Sequence, residues 1–378
     1  MEKEVLTGSA AVSHAVKLCK PEVVAAYPIS PQTYIIEDLA SFVADGSLKA
    51  HYIPVESELS AISVIAGATA QGVRSFTATS SQGLLFMHEM LHWCAGGRLP
   101  MVMVVANRAV GAPWNLWCDQ QDMLSQRDTG WMQVVVTSAQ EAMDLVPIAY
   151  KVAERCYIPA LVGMDGFFIS HTSEPVEPIS QDEVDAFLPP FEFKFSLDHR
   201  DPFTLWPTLD QTLYHRFKGM FFEAHNRAIK VWNEAFEEWG RLTGRRYQAV
   251  EGLYLDDSEV LFVSTGHLTG TTCFAVEELR KRGENVGLLN LRLIRPFPSE
   301  ELKAKVENAK LLIVLDRAVS YGVSGTITQE VRSALRGKKP VVKGWVISMG
   351  GREVSPELIT DTYKRFLENQ EEESTEWI

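Results

Sequence analysis

Tyr27-Pro28-Ile29-Ser30-Pro31-Gln32-Thr33 follows directly on the apolar run Val23-Val24-Ala25-Ala26. The run predicts a short buried strand, and the two prolines hold the chain extended just beyond its carboxyl end. Between them a single hydroxyl, that of Ser30, is displayed on a loop that resists collapse. Open α/β sheets bind ligands outside the carboxyl ends of their strands, so a site for a small anion or a carbonyl can be built here. Taken alone, the loop reads equally as a proline-rich turn with nothing to bind.

Outward from this loop the same rhythm repeats. Residues 51–55, 75–79, 101–106, 133–136 and 160–163 read as further buried strands, alternating with helical patterns at 9–18, 34–43 and 57–71. That alternation predicts an α/β fold, a mainly parallel sheet covered on both faces. Residues 174–193 differ: Pro175, Pro178, Pro189 and Pro190 stand among acidic side chains and predict an irregular crossing. From Trp206 to Trp239 the chain is aromatic and charged, its later part patterned as a long amphipathic helix. This stretch reads either as a connector wrapping a surface at a subunit contact or as a helical excursion packed on its own chain. The α/β rhythm resumes at Glu259, with strands expected at 260–264, 286–291, 311–315 and 341–347. The division expected is 1–175, 176–250 and 251–378. The tail from Glu368, with Glu371-Glu372-Glu373, predicts a solvated, frayed end.

Bulk properties exclude several classes. The 378 residues suffice for about two domains. Thirty-six basic against forty-nine acidic residues leave a net charge of −13, which argues against nucleic acid, whose binding rests on Lys and Arg at phosphates. It also offers anionic membranes no attraction. No apolar run reaches the roughly 18–20 residues of a membrane span, and the start lacks a signal peptide, so the expected location is cytoplasmic. The five cysteines are scattered, odd in number and free of any CxxC pair, which disfavours an iron–sulfur cluster or zinc knuckle in this chain.

Four segments carry candidate chemistry. His88-Glu89-Met90-Leu91-His92 is an HExxH pattern, which on a helix could chelate zinc with the glutamate as general base of a metallohydrolase. Ala95 stands where the extended form needs glycine, and spacing offers no third ligand. A helix with polar residues near a subunit contact is the competing account. Gly322-Val323-Ser324-Gly325 could open a helix whose N-terminus favours an anion, or could form a tight turn. In Pro54-Val55-Glu56-Ser57-Glu58-Leu59, Glu56 suits a helix cap, whereas Glu58 sits deeper, where a buried carboxylate demands a partner. Downstream, Thr79-Ser80-Ser81-Gln82-Gly83 and Asn107-Arg108 again place polar groups after strands. Four strand ends thus carry Ser30, Glu58, Ser81-Gln82 and Arg108, and such convergence on one sheet edge makes a site.

These residues resemble a known family, the α subunits of the 2-oxoacid:ferredoxin oxidoreductases, in particular the multi-subunit pyruvate enzyme. Tyr27 to Pro31 is similar to its YPITP loop. Glu56-Ser57-Glu58 with Ala61 and Gly67 resembles its acidic segment, and Thr79 to Leu84 its TxSQGL turn. Arg108-Ala109, Ala112-Pro113, Asp119, Asp122 and Arg127-Asp128-Thr129-Gly130-Trp131 resemble its arginine loop. Arg292-Leu293-Ile294-Arg295-Pro296-Phe297 resembles a landmark of its second domain.

The resemblance implies an open parallel-sheet domain of the pyrimidine-binding thiamine diphosphate type, followed by an α/β domain like the transketolase C-terminal one. It implies oxidative decarboxylation of a 2-oxo acid, most simply pyruvate, with coenzyme A, giving acyl-CoA, CO2 and reduced ferredoxin. Met164-Asp165-Gly166 lacks the downstream asparagine of a diphosphate-binding GDG motif. The diphosphate and Mg2+ are therefore expected on a partner β subunit, and the 4Fe–4S clusters on γ and ferredoxin-like δ partners or their equivalents. In this chain no metal ligand is expected. Glu58 matches the cofactor-activating glutamate; Pro28, Ile29, Ser81 and Gln82 would line the cofactor; Arg108 and Ser30 would meet the substrate carboxylate. Departures are Ser30 for the usual threonine, Gln120 for a common histidine, and the bulky Trp114, which would favour an aromatic 2-oxo acid of the phenylglyoxylate type if it lined the pocket. A non-catalytic scaffold subunit is the remaining alternative.

Overall fold

The computed structural model describes residues 3–336, 340–367 and 373–377. Seven strands make the first sheet, in the spatial order Leu293–Arg295, Met132–Val135, Ala160–Asp165, Val102–Asn107, Ser75–Thr79, Val23–Ala26 and His51–Pro54. The last six are mutually parallel and Leu293–Arg295 is antiparallel to its neighbour. The central strands are buried along their whole length, which is why they read as continuous apolar runs.

Period-2 geometry sorts their side chains between two layers. Val102, Val104 and Ala106 face a core shared with the helices Gly8–Leu18, Thr33–Ala44 and Ala139–Cys156. Met103 and Val105 face the other way, onto the helices Glu58–Ala70 and His88–Gly96.

A six-stranded sheet follows, ordered Ser374–Trp377, Val341–Val346, Leu311–Asp316, Val260–Ser264, Val286–Leu291 and Val250–Leu253. Only Val250–Leu253 runs antiparallel. Leu261, Val263, Leu312 and Val314 join the same apolar cluster as Met103 and Val105, so the two sheets share one continuous core layer. The opposite face, with Phe262 and Ile313, packs on Leu268–Lys281 and Pro356–Leu367.

Between the sheets the chain crosses at Arg292, which is buried and held by Glu141 at 2.7 Å and Glu251 at 2.6 Å. Residues just beyond it, Leu293–Arg295, then pair with the first sheet rather than the second. Sequence rhythm alone does not announce that exchange.

Three local expectations change. The crossing at 174–193 is more ordered than its prolines suggest: Ser173–Val176 pairs with Glu4–Thr7, and Gln181–Phe187 is a helix with a Ser180/Glu183 capping box. The cap of Glu58–Ala70 is Ser57, whose hydroxyl accepts from Ser60 N at 3.2 Å, not Glu56. In the tail, Ser374–Trp377 is not frayed but forms an edge strand against Val341–Val346; 368–372 and 378 lie outside the described residues.

The long helix Gln211–Thr243 packs its later part on the chain itself through Ala228, Trp232, Ala235, Phe236 and Trp239. Its first turns leave Leu213, Tyr214, Phe217 and Met220 exposed. No described helix is long and apolar enough to cross a membrane.

Candidate active site

Three parallel strands, Val23–Ala26, Ser75–Thr79 and Val102–Asn107, deliver their carboxyl ends to one edge, beside the N-terminus of Glu58–Ala70. Loops leaving those ends carry Ser30, Ser81-Gln82 and Arg108. The Arg108 guanidinium joins them: Nη1 donates to the Ser30 carbonyl at 2.7 Å and Nη2 to Gln82 Oε1 at 2.8 Å. Its Nε is buried with no acceptor among the described residues. Two of the five guanidinium N–H groups are thus committed to the protein, the Nε–H is buried, and one N–H on each terminal nitrogen remains for a ligand. Burial pulls the Arg108 pKa down, against the pull of the Asp122 and Glu58 carboxylates.

Glu58 is the first residue of its helix and is buried to 8 % exposure. Its carboxylate lies against the backbone of Gly83, where an added Cβ would come within 2.6 Å of both Glu58 Oε1 and Thr79 Oγ1. Glycine at 83 is therefore what lets the acid reach this edge. Among the described residues no hydrogen bond holds the Glu58 carboxylate, and beside it the buried hydroxyls of Thr79 and Ser80 are unpartnered.

The expected residues divide by what their side chains do. Ser30 is exposed, with its hydroxyl free among the described residues, while its carbonyl anchors Arg108. Pro28 is exposed and Ile29 half-buried on the same loop. Ser81 is fully buried and its hydroxyl donates to the Ala109 carbonyl at 2.6 Å, so it shapes the turn from inside.

Trp114 is 69 % exposed and fills no core; with Gln82 it flanks Gly111. His88 and His92 stand one helical turn apart, His88 Nδ1 facing Gln126 Oε1 at 2.5 Å. No set of three His, Cys, Asp or Glu able to hold a metal ion comes together among the described residues. Residues 322–325 close a small hairpin that pairs Val319 and Ser320 with Gly325 and Ser324, and the helix Thr326–Leu335 that follows is capped from within: Asp316 accepts from Ile327 N at 2.6 Å and Thr328 N at 3.1 Å. That N-terminus is already occupied by the Asp316 carboxyl.

Several residues that organise the site carry no obvious signal. Gln32 is buried and donates to the carbonyls of Tyr27 at 2.8 Å and Ala78 at 3.1 Å, pinning the serine loop to its neighbour strand. Asp122, fully buried, receives backbone N–H groups from Ser81 and Arg108; burial pushes its pKa up to about 6 against those hydrogen bonds.

A buried charge cluster ties the arginine loop to the second sheet. Arg317 Nη1 meets Asp165 Oδ2 at 2.5 Å, and the same oxygen accepts from His267 N at 2.8 Å and lies 2.9 Å from His267 Nδ1. Burial opposes ionisation of Asp165, but Arg317 and His267 outweigh it and hold the carboxyl well below the usual range. Gly266, at φ +65, sits where a Cβ would come within 2.2 Å of that oxygen. Gln120 belongs to this junction: Nε2 lies 3.4 Å from Asp165 Oδ1 and Oε1 accepts from Thr265 at 2.7 Å.

The fold agrees with comparison to known proteins. The profile of "Pyruvate flavodoxin/ferredoxin oxidoreductase, thiamine diP-bdg" matches residues 14–237, and that of "Pyruvate:ferredoxin oxidoreductase core domain II" residues 258–359. Pyruvate synthase subunit PorA of Methanothermobacter thermautotrophicus is 44% identical over 380 residues, covering 100% of this chain and 98% of the relative. Ketoisovalerate oxidoreductase subunit VorA of Pyrococcus abyssi is 44% identical over 383 residues, covering 99% and 97%. Among solved structures, 2-oxoglutarate:ferredoxin oxidoreductase from Magnetococcus marinus superposes with a TM-score of 0.72 at 19% identity, covering 96% of this chain and 65% of that longer one. A split-gene transketolase gives a TM-score of 0.59 at 13% identity, covering 97% of this chain and 100% of that one. These two likenesses show the fold: a thiamine diphosphate-binding type of α/β domain followed by one like the transketolase C-terminal domain. The chain belongs to the 2-oxoacid:ferredoxin oxidoreductase family, as an enzyme subunit of the PorA and VorA type.

Proposed function

We propose that this chain is the α subunit that binds the pyrimidine side of thiamine diphosphate and the 2-oxo acid in a multi-subunit, ferredoxin-linked oxidoreductase acting on pyruvate with coenzyme A. The observation that carries the reading is the pairing of the Glu58 carboxylate, which no hydrogen bond holds among the described residues, with a guanidinium, Arg108, whose two terminal nitrogens each keep one N–H uncommitted at the same sheet edge. A pyrimidine ring nitrogen needs an acidic partner. Glu58 offers it and Gly83 leaves the room that its side chain occupies, so the residues present fit the group. When bound, thiamine diphosphate supplies the nucleophile and the electron sink that decarboxylation of a 2-oxo acid needs.

The chain's own residues do the rest. Glu58 holds a proton at the ring nitrogen, in a setting where desolvation strengthens the hydrogen bond. Arg108 binds the substrate carboxylate with its planar fork, a use that lysine does not reproduce. Ser30 adds a hydroxyl donor from the adjacent loop. The diphosphate, Mg2+ and 4Fe–4S clusters fall to β, γ and δ partners or their equivalents, and a cytoplasmic location suits five cysteines none of which is paired. Both 2-oxo acids in the relatives' names are small and aliphatic, and pyruvate is the simpler.

The test is co-purification of the assembled complex and assay of ferredoxin reduction against a panel of 2-oxo acids with coenzyme A. Pyruvate should lead the panel, and turnover only with branched acids would reassign the substrate. Glu58→Gln should lower turnover by about 10²- to 10⁴-fold; undiminished turnover would sink the catalytic assignment.

A further inference from the structure

We propose that Asp122 is the positioning residue of this site, the buried carboxylate that locks the turn carrying Gln82 to the strand end carrying Arg108. The proposal rests on the reading of Arg108 as the substrate-carboxylate contact. Asp122 lies on the four-residue helix Gln121–Leu124 and is fully buried. Its Oδ2 accepts from Ser81 N at 2.9 Å and from Arg108 N at 3.0 Å. Its Oδ1 accepts from Asn107 Nδ2 at 2.8 Å and from Met123 N at 2.7 Å. Four donors fill about the four lone-pair sites a carboxylate has, and no capacity is left for a ligand. Asp122 therefore acts through its neighbours.

What those neighbours carry gives the contact its consequence. Ser81 has φ +47, a left-handed conformation that serine seldom adopts, and Asp122 receives the amide of that residue. The next residue is Gln82, whose Oε1 takes one arm of the Arg108 guanidinium. The other end of Arg108, its backbone amide, is held by the same Asp122 oxygen. One oxygen thus sets both the root of the arginine and the residue that aims its tip.

The Asp122 helix is itself anchored across the domain junction, with Gln120 N donating to the Arg317 carbonyl at 2.8 Å and Val319 N to Gln121 Oε1 at 2.8 Å. The aim of Arg108 is therefore referred to the second sheet as well as the first. An amide takes over this role only in part. With its N–H2 toward Ser81 and Arg108 asparagine loses both backbone bonds; with its N–H2 the other way it opposes the Met123 amide, and only Asn107, whose Oδ1 is unpartnered, can turn to accept.

The experiment is a double-mutant cycle in the assembled complex, with Asp122→Asn, Arg108→Gln and both together, reading KM for the 2-oxo acid and kcat separately. Asp122→Asn should raise KM about 10- to 10²-fold, the scale of a small misplacement of a positioning group, with kcat changed much less. In the Arg108→Gln background, which raises KM by itself, the second substitution should add less than about two-fold, because coupled residues are not additive. Independent multiplication of the two effects would overturn the proposal. So would an Asp122→Asn enzyme of normal KM beside an Arg108→Gln enzyme of raised KM, or equal losses in KM and kcat with lowered thermal stability. A normal KM in Arg108→Gln alone would instead expose the underlying substrate reading as wrong and take the proposal with it. Should Asp122→Asn fail to assemble, Asn107→Ala, which removes one donor from Oδ1, should still raise KM about three-fold with kcat intact; an unchanged KM there would also overturn the proposal.

Discussion

At Gly83 the site depends on an atom that is not there. Its missing Cβ leaves room for Glu58 Oε1 and Thr79 Oγ1, each of which would stand 2.6 Å from it. Every atom such a Cβ would meet belongs to a side chain, two of the three to Glu58 itself, so Gly83→Ala should push the Glu58 carboxyl off its line. Thiamine diphosphate affinity of the complex, followed by fluorescence titration, should fall about 10- to 10²-fold, with turnover falling alongside; wild-type affinity would show that Glu58 is not held by this contact. Residue identities at this scale were largely legible: Ser30, Glu58, Gln82 and Arg108 each follow an apolar run, and polar groups rarely stand there without a reason. Gln32 and Asp122 were not, because each works by bonding backbone groups distant in sequence.

Helix ends show the same physics one level up. Thr326–Leu335 begins where Asp316, fully buried, accepts from two of its first amides and from Thr328 Oγ1. Burial pushes the Asp316 pKa up to about 7, against those hydrogen bonds. The folded state then holds a proton that the unfolded chain has already lost between about pH 4 and pH 7. This group's contribution to stability is fully present below about pH 4 and disappears as the pH rises to 7. Relative to Asp316→Asn, which does not titrate, the wild-type chain should lose melting temperature across that window; parallel melting profiles would contradict the assignment. Glu58–Ala70 offers a simpler case. Removing its Ser57 cap as Ser57→Ala should cost about 1 kcal/mol, measured by urea unfolding. Strand and helix alternation made these elements readable, but their caps were partly misassigned: Glu56 and Ser57 both suit a cap, and backbone dihedrals decide between them.

For the molecule as a whole, stability and site geometry meet at the junction of the two sheets. Arg317 and Asp165 are both wholly buried there and 2.5 Å apart. Arg317→Met should cost about 3–5 kcal/mol in chemical denaturation, because it strands a buried carboxylate, and should raise KM for the 2-oxo acid by loosening the arginine loop. A stable variant with normal KM would show that the junction is mechanically separate from the site. The sequence by itself determined the α/β class, the acidic balance of the chain and which polar residues stand at the strand ends of the candidate site, because periodicity and a polar group after an apolar run are local properties. Only the tertiary structure decided that Leu293–Arg295 completes the first sheet, that one core layer is shared by both sheets, and that Asp122, Asp165 and Arg317 hold the arginine loop. Those include contacts between residues more than 150 positions apart, Arg295 with Gln133 and Arg317 with Asp165, and their energy comes from burial and charge pairing that exist only once the chain has folded.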